Sequence, residues 1–255
     1  MEKIKVIVFG TLPLATKICE LLLEHPKIDL YAVVLGKSNP VNINIFDNAK
    51  CLKDFTLEKK IKTISIEELS TNFSTNFFDY GISCRYDKIL KKNHIKKFRF
   101  GIINFHGGLL PEFGGLYSSC HTILEESKIG GGTLHFINEG IDTGEIIERL
   151  EFDVSQNDTS ESIFKKTQIS LYNGFKNLLP KIVNNSFTTI SQESLLARGH
   201  VKCYYDRNSI NGKKLLKLDE DKKMIDKKIR AFDFPSFEPA YFIINNKRYY
   251  VRKSI

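Results

Sequence analysis

A short apolar segment ends in two polar side chains that suit catalysis. Asn104 and His106 lie one residue apart in Ile103-Asn104-Phe105-His106-Gly107-Gly108. Because side chains alternate along a strand, both should point to the same side. An imidazole exchanges a proton near neutral pH, and an amide N–H can hydrogen-bond a developing oxyanion. With the glycines that follow, this pattern favours a catalytic function over plain packing.

A second polar cluster follows 36 residues after His106, in the turn sequence Gly140-Ile141-Asp142-Thr143-Gly144. The Asp142 carboxylate could orient a histidine or relay a proton. Asp followed by Thr-Gly is equally typical of an ordinary turn, so the residues alone leave both interpretations open. His135 precedes this turn, and it either faces the same site or packs in the core.

Strands and helices that alternate along the first hundred residues must position these side chains. The pattern predicts strands at 3–9, 29–35, 61–66, 77–83 and 100–105, a helix at 14–24 and a polar loop at 37–48. Such alternation favours a mostly parallel sheet with right-handed crossovers. We therefore predict an α/β, Rossmann-like fold whose ligands bind at the carboxyl ends of the strands. Gly10 stands alone where NAD-binding proteins have Gly-x-Gly-x-x-Gly, so a dinucleotide oxidoreductase is not expected.

The second half predicts further strands, two helices and a closing hairpin. A helix at 118–126 precedes a Gly130-Gly131-Gly132 turn, and strands at 133–138 and 144–152 form a hairpin-like pair. A capping signal at Asp158-Thr159-Ser160-Glu161 begins a long helix to about 183, which Gly174 and Pro180 should interrupt. Strands at 241–244 and 247–251 form the last hairpin. We place a domain boundary near 185, between a core at 1–185 and an extension at 186–255.

Charge and cysteine content narrow the function further. The chain has 255 residues and a formal net charge of +8, all of which comes from residues 198–255, where 15 Lys and Arg face 7 Asp and Glu. A basic segment beside a neutral body indicates an anionic partner, although a solvated helix face explains it equally well. Five scattered cysteines predict neither a disulfide framework nor a zinc site, so we expect no metal. No signal peptide or apolar membrane span is evident, and we expect a cytoplasmic protein without membrane contact.

The order Asn104-x-His106 followed by Ile141-Asp142-x-Gly144 resembles the formyltransferases that use 10-formyltetrahydrofolate. The resemblance covers roughly residues 1–185 and implies that Asn104, His106 and Asp142 form the catalytic trio. The segment 82–90 looks like the family loop that lies along the folate, which implies contacts from Tyr86, Lys88, Ile89 and Leu90. The turn Asn138, Glu139, Gly140 and Ile141 looks like the loop that reads the pterin edge.

The basic tail looks like that of the small sugar N-formyltransferases, and it is shorter than the C-terminal barrel of methionyl-tRNA formyltransferases. This resemblance implies a nucleotide-linked amino sugar as acceptor, with dTDP-4-amino-4,6-dideoxyglucose as the specific expectation. The product would be an N-formyl sugar for surface polysaccharide, such as the O-antigen of lipopolysaccharide. The resemblance also implies a homodimer and no nucleic-acid partner. The substrate contacts that it implies are Thr11, Arg85, Tyr117, Tyr205 and Arg207.

Three other functions remain open at this point. The chain could be a methionyl-tRNA formyltransferase or another folate-dependent formyltransferase. A 10-formyltetrahydrofolate hydrolase would keep the same trio but lack an acceptor pocket. A non-enzymatic alternative is an RNA-binding module on a degenerate scaffold, which predicts RNA affinity with a steep dependence on salt.

Overall fold

The computed structural model describes residues 2–37, 45–46, 49–235 and 237–253. The strands are β1 (Ile4–Gly10), β2 (Ile28–Leu35), β3 (Tyr80–Cys84), β4 (Ile102–His106), β5 (Gly114–Gly115), β6 (Ile129–Phe136), β7 (Ile146–Asp153), β8 (Tyr204–Tyr205), β9 (Ala240–Ile244) and β10 (Lys247–Val251). The helices are α1 (Pro13–Glu24), α2 (Leu52–Glu58), α3 (Ile66–Thr71), α4 (Lys92–Ile95), α5 (Ser118–Leu124), α6 (Ser160–Val183), α7 (Gln192–Leu196) and α8 (Lys222–Ala231).

Six strands form one mixed sheet in the order β2-β1-β3-β4-β6-β7. The first four strands are parallel, whereas β6 and β7 run antiparallel to their neighbours. The predicted α/β, Rossmann-like sheet with flanking helices is therefore confirmed, and the predicted hairpin-like pair supplies its antiparallel edge. The carboxyl ends of β1, β3 and β4 lie side by side, as Gly10 pairs with Cys84 and Cys84 with Phe105.

Apolar residues on both faces of the sheet explain why these strands are central. Val6 and Val8 pack in one buried cluster with side chains of α1 and α6, and Ile7 and Phe9 pack in another with residues near α3. All five residues of β3 are buried, which is typical of a parallel strand covered on both sides. The strands that carry the site are therefore fixed by packing on both faces of the sheet.

The segment 184–253 packs on the core through a third apolar cluster. Leu216, Ala231, Phe232 and Ala240 pack against side chains of α5 and α6. The predicted closing hairpin is confirmed as the antiparallel pair β9–β10. Short β8 leaves this segment and pairs in parallel with β5 of the core, so the extension reaches towards the end of β4.

Three local predictions were wrong. The predicted Gly130–Gly132 turn lies inside β6, where a side chain at Gly131 would meet the Leu150 carbonyl and the Leu109 side chain. Of the predicted strand at 61–66, the described chain forms only a bridge between Val33 and Thr63, and Ile66 begins α3. Helix α6 runs without interruption through its Pro180. Most of the predicted loop at 37–48 lies outside the described residues.

Within the part of the chain that the structure describes, no helix combines the length and apolarity needed to cross a bilayer. The same residues include no cluster of three or more His, Cys, Asp or Glu side chains placed to hold a metal ion.

Candidate active site

The three predicted catalytic side chains meet at the carboxyl end of β4. Asn104 and His106 come from β4 itself, and Asp142 comes from the connection between β6 and β7. Asp142 Oδ2 lies 3.5 Å from His106 Nδ1. The alternation of β4 therefore places Asn104 and His106 on one side, and the antiparallel edge of the sheet brings Asp142 to them.

Hydrogen bonding fixes the His106 ring and its tautomer. The Phe113 carbonyl lies 2.7 Å from Nε2, and because a carbonyl only accepts, Nε2 carries the proton and donates. In the neutral ring, Nδ1 is therefore the nitrogen with a free lone pair. It faces the Asp142 carboxylate, which stabilises the ring once Nδ1 takes a proton.

Asp142 is held in an unusual backbone conformation. Its φ is +53°, in the left-handed region, and its side chain is only 14% exposed. The Gly115 N–H donates to Oδ2 at 2.9 Å, and the main-chain carbonyl of Asp142 accepts from Gln192 Nε2 at 2.8 Å. The Gly115 N–H thus orients the carboxylate of Asp142, and the Gln192 side chain holds its main chain.

His135 is a fourth member of the site, which the sequence left undecided. It lies opposite Asn104 in the β4–β6 pair, and Asn104 Nδ2 is 3.0 Å from its Nε2. Its Nδ1–H donates to the Phe136 carbonyl at 2.9 Å, so the neutral ring accepts from the Asn104 amide. Burial, with the neighbouring His106 charge, lowers the pKa of His135 to about 4. His135 is therefore neutral near pH 7 and fixes the orientation of the Asn104 amide.

This arrangement suits acyl transfer to an amine. Asn104 keeps its second amide N–H free of His135 and can donate it to a developing oxyanion. His106 Nδ1 can take a proton from an attacking nucleophile, with the Asp142 charge beside it.

Two loops that were predicted to hold folate lie next to each other at this edge. Lys92, which follows the first loop, forms an ion pair with Glu139 of the second, with Nζ and Oε1 2.6 Å apart. The Asn138 Oδ1 accepts from the Gly140 N–H at 3.0 Å and from the Thr143 hydroxyl at 2.7 Å, which shapes the second loop. Ile141 is exposed at its tip.

The side chains of the first loop differ in how accessible they are to a ligand. Ile89 is 69% exposed and Lys88 is exposed, so both side chains are available to a ligand. Leu90 is buried in the core cluster around Phe9, and the Tyr86 ring packs edge-on against Phe9 at 5.5 Å. The Tyr86 hydroxyl is buried as well. Leu90 and Tyr86 can therefore contribute to a ligand mainly through their main chain.

The five predicted substrate contacts fall into two groups. Thr11 and Arg85 follow β1 and β3, and Thr11 Oγ1 donates to the Arg85 carbonyl at 3.5 Å, a weak bond. Tyr205 pairs through its main chain with Gly115, whose N–H binds Asp142. Tyr117 follows Gly115 closely and packs half-buried against the third apolar cluster.

Two of these five side chains already contact aromatic rings of the protein, and a third is exposed to solvent. The Tyr205 ring stacks on buried His121 with 3.7 Å between ring centroids, and the Phe113 ring lies nearly parallel to it at 6.2 Å. The Arg85 guanidinium lies over the Phe164 ring, 5.5 Å from its centroid. Arg207 is exposed.

Several contacts in the site escaped sequence reasoning. Phe113 and Gly115 act through main-chain groups, which leave no mark in residue types. Gln192 lies 50 residues after Asp142, in a helix of the extension. His135 could have been found from the sequence, because directly paired residues of neighbouring strands point to the same face and His135 pairs with Asn104.

Known proteins provide an independent comparison. A family model described as formyl transferase matches residues 2–178. A methionyl-tRNA formyltransferase of Mycoplasma mycoides is 25% identical over 256 residues, which cover 99% of this chain and 78% of that protein.

Two solved structures share the fold along nearly the whole chain. An N-formyltransferase from Helicobacter canadensis, in complex with folinic acid and dTDP-3-aminofucose, has a TM-score of 0.75 and 26% identity over 96% of this chain and 86% of that chain. A sugar 3N-formyl transferase solved with dTDP and 5-N-formyl-THF has a TM-score of 0.74 and 26% identity over 97% of this chain and 85% of that chain.

Proposed function

We propose an acceptor for this chain from the premise that it belongs to the formyl transferase family, which the match over residues 2–178 shows. The chain is a folate-dependent formyltransferase. In our proposal it transfers the formyl group of 10-formyltetrahydrofolate to the amine of a dTDP-linked amino sugar. The observation that supports the transfer is the partly buried cluster of Asn104, His106 and Asp142 beside two loops open to a ligand.

The chain's own residues account for each proton and charge of such a transfer. Asn104 donates its free N–H to the formyl oxygen as the amine nitrogen bonds to the formyl carbon, and neutral His135 keeps that N–H in position. His106 Nδ1 takes the proton that the amine loses, and Asp142 stabilises the resulting imidazolium. The bond between the formyl carbon and N10 of the folate then breaks, and the His106 imidazolium returns its proton to the leaving N10 nitrogen. The products are the formamide and tetrahydrofolate.

The folate would lie against the loops at 86–90 and 138–141. Exposed Ile89 and Ile141 offer apolar surface to its ring systems, and the Lys92–Glu139 ion pair holds the two loops together. The main chain of these loops is available for the polar edge of a pterin.

The nucleotide-linked sugar would lie on the opposite side of the trio. Arg85 offers a cation for the diphosphate, and the half-buried Tyr205 ring offers its exposed part near Gly115. Two structural relatives at 26% identity were solved with dTDP-3-aminofucose and with dTDP, which supports the thymidine diphosphate. The sequence led us to expect dTDP-4-amino-4,6-dideoxyglucose, so the position of the amine is the first point to test.

The test measures transfer to defined acceptors. Purified chain with 10-formyltetrahydrofolate is given dTDP-4-amino-4,6-dideoxyglucose, dTDP-3-aminofucose or a GDP-linked amino sugar, and mass spectrometry detects the added carbonyl group. Turnover of a dTDP-linked acceptor supports the proposal and assigns the position. Free formate released at equal rates with and without acceptor indicates a hydrolase instead.

A second candidate acceptor is methionyl-tRNA, because the Mycoplasma mycoides relative is a methionyl-tRNA formyltransferase. The same assay with charged initiator tRNA decides between the two. Formylation of the methionyl group, with no transfer to amino sugars, overturns our proposal and gives the basic segment 198–255 an RNA partner.

The proposal includes a homodimer formed through the hairpin β9–β10. Exposed Ile243 and Tyr250 share the face of the hairpin opposite to Phe242, which packs on the core, and a second copy would cover that outer face. Light scattering should give twice the chain mass, and Ile243→Lys should reduce it to the monomer. The control is Leu218→Lys, at an exposed leucine outside the hairpin. A monomer in the parent protein contradicts the dimer but not the reaction.

A further inference from the structure

A glutamine of the C-terminal extension holds the turn that carries Asp142. Gln192 Nε2 donates to the Asp142 carbonyl at 2.8 Å and to the Gly144 carbonyl at 3.0 Å. Gln192 is only 3% exposed. It lies beyond the residues 2–178 that match the family model, so part of the support for this turn comes from outside the core that carries the trio.

The turn needs such support because of its backbone conformation. Asp142 has φ of +53°, in the left-handed region that an L-residue adopts at a cost. Its carboxylate lies 3.5 Å from His106 Nδ1 and 3.7 Å from His135 Nε2. Interactions of charges at these distances in a buried site change steeply with position. A small rotation of the turn would therefore alter the electrostatic interaction between the Asp142 carboxylate and His106.

The segment around Gln192 is itself fixed to the sheet. Ile190 and Ile146 exchange two main-chain hydrogen bonds, of 2.9 and 2.8 Å. Thr189 Oγ1 donates to Glu145 Oε2 at 2.6 Å, and Leu195 of the same helix as Gln192 packs against Ile146. The glutamine amide thus belongs to an anchored segment, and its position relative to Asp142 is set by the strand that follows the turn.

We propose that Gln192 is a positioning residue for formyl transfer, holding the Asp142 turn so that the carboxylate faces His106. The proposal rests on the roles given to Asp142 and His106 under the proposed function. It assigns part of the active-site geometry to the extension. The competing explanation is that Gln192 merely satisfies two buried carbonyls, which would affect stability but not the charge at His106.

The decisive variant is Gln192→Met, which keeps the length of the side chain and removes both donors. We expect kcat to fall by up to about a hundredfold, since misplacement of a catalytic group by about one ångström has effects of this size. The KM for folate should change little. The pH at which the His106 ring gains its proton, followed by NMR without any substrate, should fall relative to the parent protein. His135 and Asp142 are the titratable groups that the structure places against this ring.

A matched control separates positioning from stability. Ser194→Ala, in the same helix, removes a hydrogen bond to the Ser191 carbonyl and none to the Asp142 turn. It should leave both kcat and the His106 titration unchanged. Equal effects of Ser194→Ala and Gln192→Met on both readouts overturn the proposal, as does a folded Gln192→Met protein that matches the parent in both.

Gln192→Glu keeps the interior polar and is the variant to use where Gln192→Met does not fold. At low pH the neutral carboxyl of this variant can still donate one hydrogen bond, whereas at high pH its carboxylate repels both carbonyls. We expect its activity relative to the parent to decrease as pH rises, and a constant ratio overturns the proposal. Because the NMR titration needs no acceptor, it still tests the role of Gln192 if no amino sugar is formylated.

Discussion

The Asn104 amide and the His135 ring form a directional pair, in which Asn104 Nδ2 donates to Nε2 of His135 at 3.0 Å. The direction follows because the neutral His135 ring has a single N–H, on Nδ1, which donates to the Phe136 carbonyl. The other nitrogen, Nε2, can therefore only accept. A neutral histidine at this position leaves the amide oxygen of Asn104 turned away from the ring and its second N–H available. A buried histidine with a lowered pKa can thus orient an oxyanion donor without exchanging a proton itself.

A double-mutant cycle should show this dependence. Asn104→Ala is expected to lower kcat by about a hundred- to a thousandfold, the range for loss of one oxyanion donor. His135→Ala should cost roughly tenfold, because Asn104 then loses its fixed orientation. In the double variant the effect should equal that of Asn104→Ala alone, since His135 acts through Asn104. Additive losses, measured as kcat with folding checked by circular dichroism, would show that His135 has a separate role.

Loss of the base or of its partner should be severe. His106→Ala and Asp142→Asn are each expected to lower kcat by at least about a hundredfold. Asp142→Asn removes the charge but keeps an oxygen to accept from the Gly115 N–H, so the protein should still fold. Turnover near the parent value in either folded variant contradicts the assignment of the trio.

The pH dependence of kcat/KM should identify the residue that takes the proton. We expect kcat/KM to rise with pH near neutrality as the general base loses its proton. His135 cannot supply this rise, because its pKa of about 4 keeps it neutral there. The rise should disappear in His106→Asn. If it persists, after correction for the pKa of the acceptor amine measured separately, His106 acts electrostatically rather than as the base.

Two buried histidines should make folding sensitive to acid. Burial is the main cause that lowers the pKa of His121 and of His135 to about 4, from about 6.5 in the unfolded chain. Between these values the unfolded chain binds protons that the folded protein does not, so stability falls as pH decreases from about 6.5 to about 4. Each histidine contributes up to about 1.4 kcal/mol per pH unit.

Urea unfolding at several pH values tests this contribution. His121→Phe keeps a ring against Tyr205 and removes one of the two titrating groups. The free energy of unfolding of this variant should therefore depend less steeply on pH than that of the parent. The difference in slope corresponds to the uptake of up to one fewer proton on unfolding. Identical slopes would show that His121 is not protonated differently in the two states.

The parts of the site that the sequence predicted are those set by local pattern. Asn104 and His106 share a side because they are two residues apart in one strand. Asp142 stayed ambiguous in the residues, and only the resemblance assigned it. The Gln192 contact could not be predicted, because it joins a side-chain amide to two main-chain carbonyls 50 and 48 residues away.

The fold shows the same division between local pattern and long-range packing. The apolar runs predicted the central strands correctly, because burial on both sheet faces demands them. The three glycines of β6 were mistaken for a turn, since their function is close packing against β7 and α6 through Gly131 and Gly132. Thr63 forms only one bridge, as the chain turns into α3 soon afterwards.

Arg85 follows β3, and its guanidinium lies over the Phe164 ring. If it pairs with the diphosphate, Arg85→Met should raise the KM of the nucleotide sugar by about ten- to a hundredfold, the usual effect of a lost charged hydrogen bond. The kcat should change little, because this contact is the same in the ground state and the transition state. Arg85→Lys should be intermediate, since it keeps the charge but not the planar pair of donors. Arg99→Met, at an exposed arginine beside Phe100, is the matched control and should leave both KM values unchanged. A rise in the KM of the folate alone would place Arg85 on the other substrate.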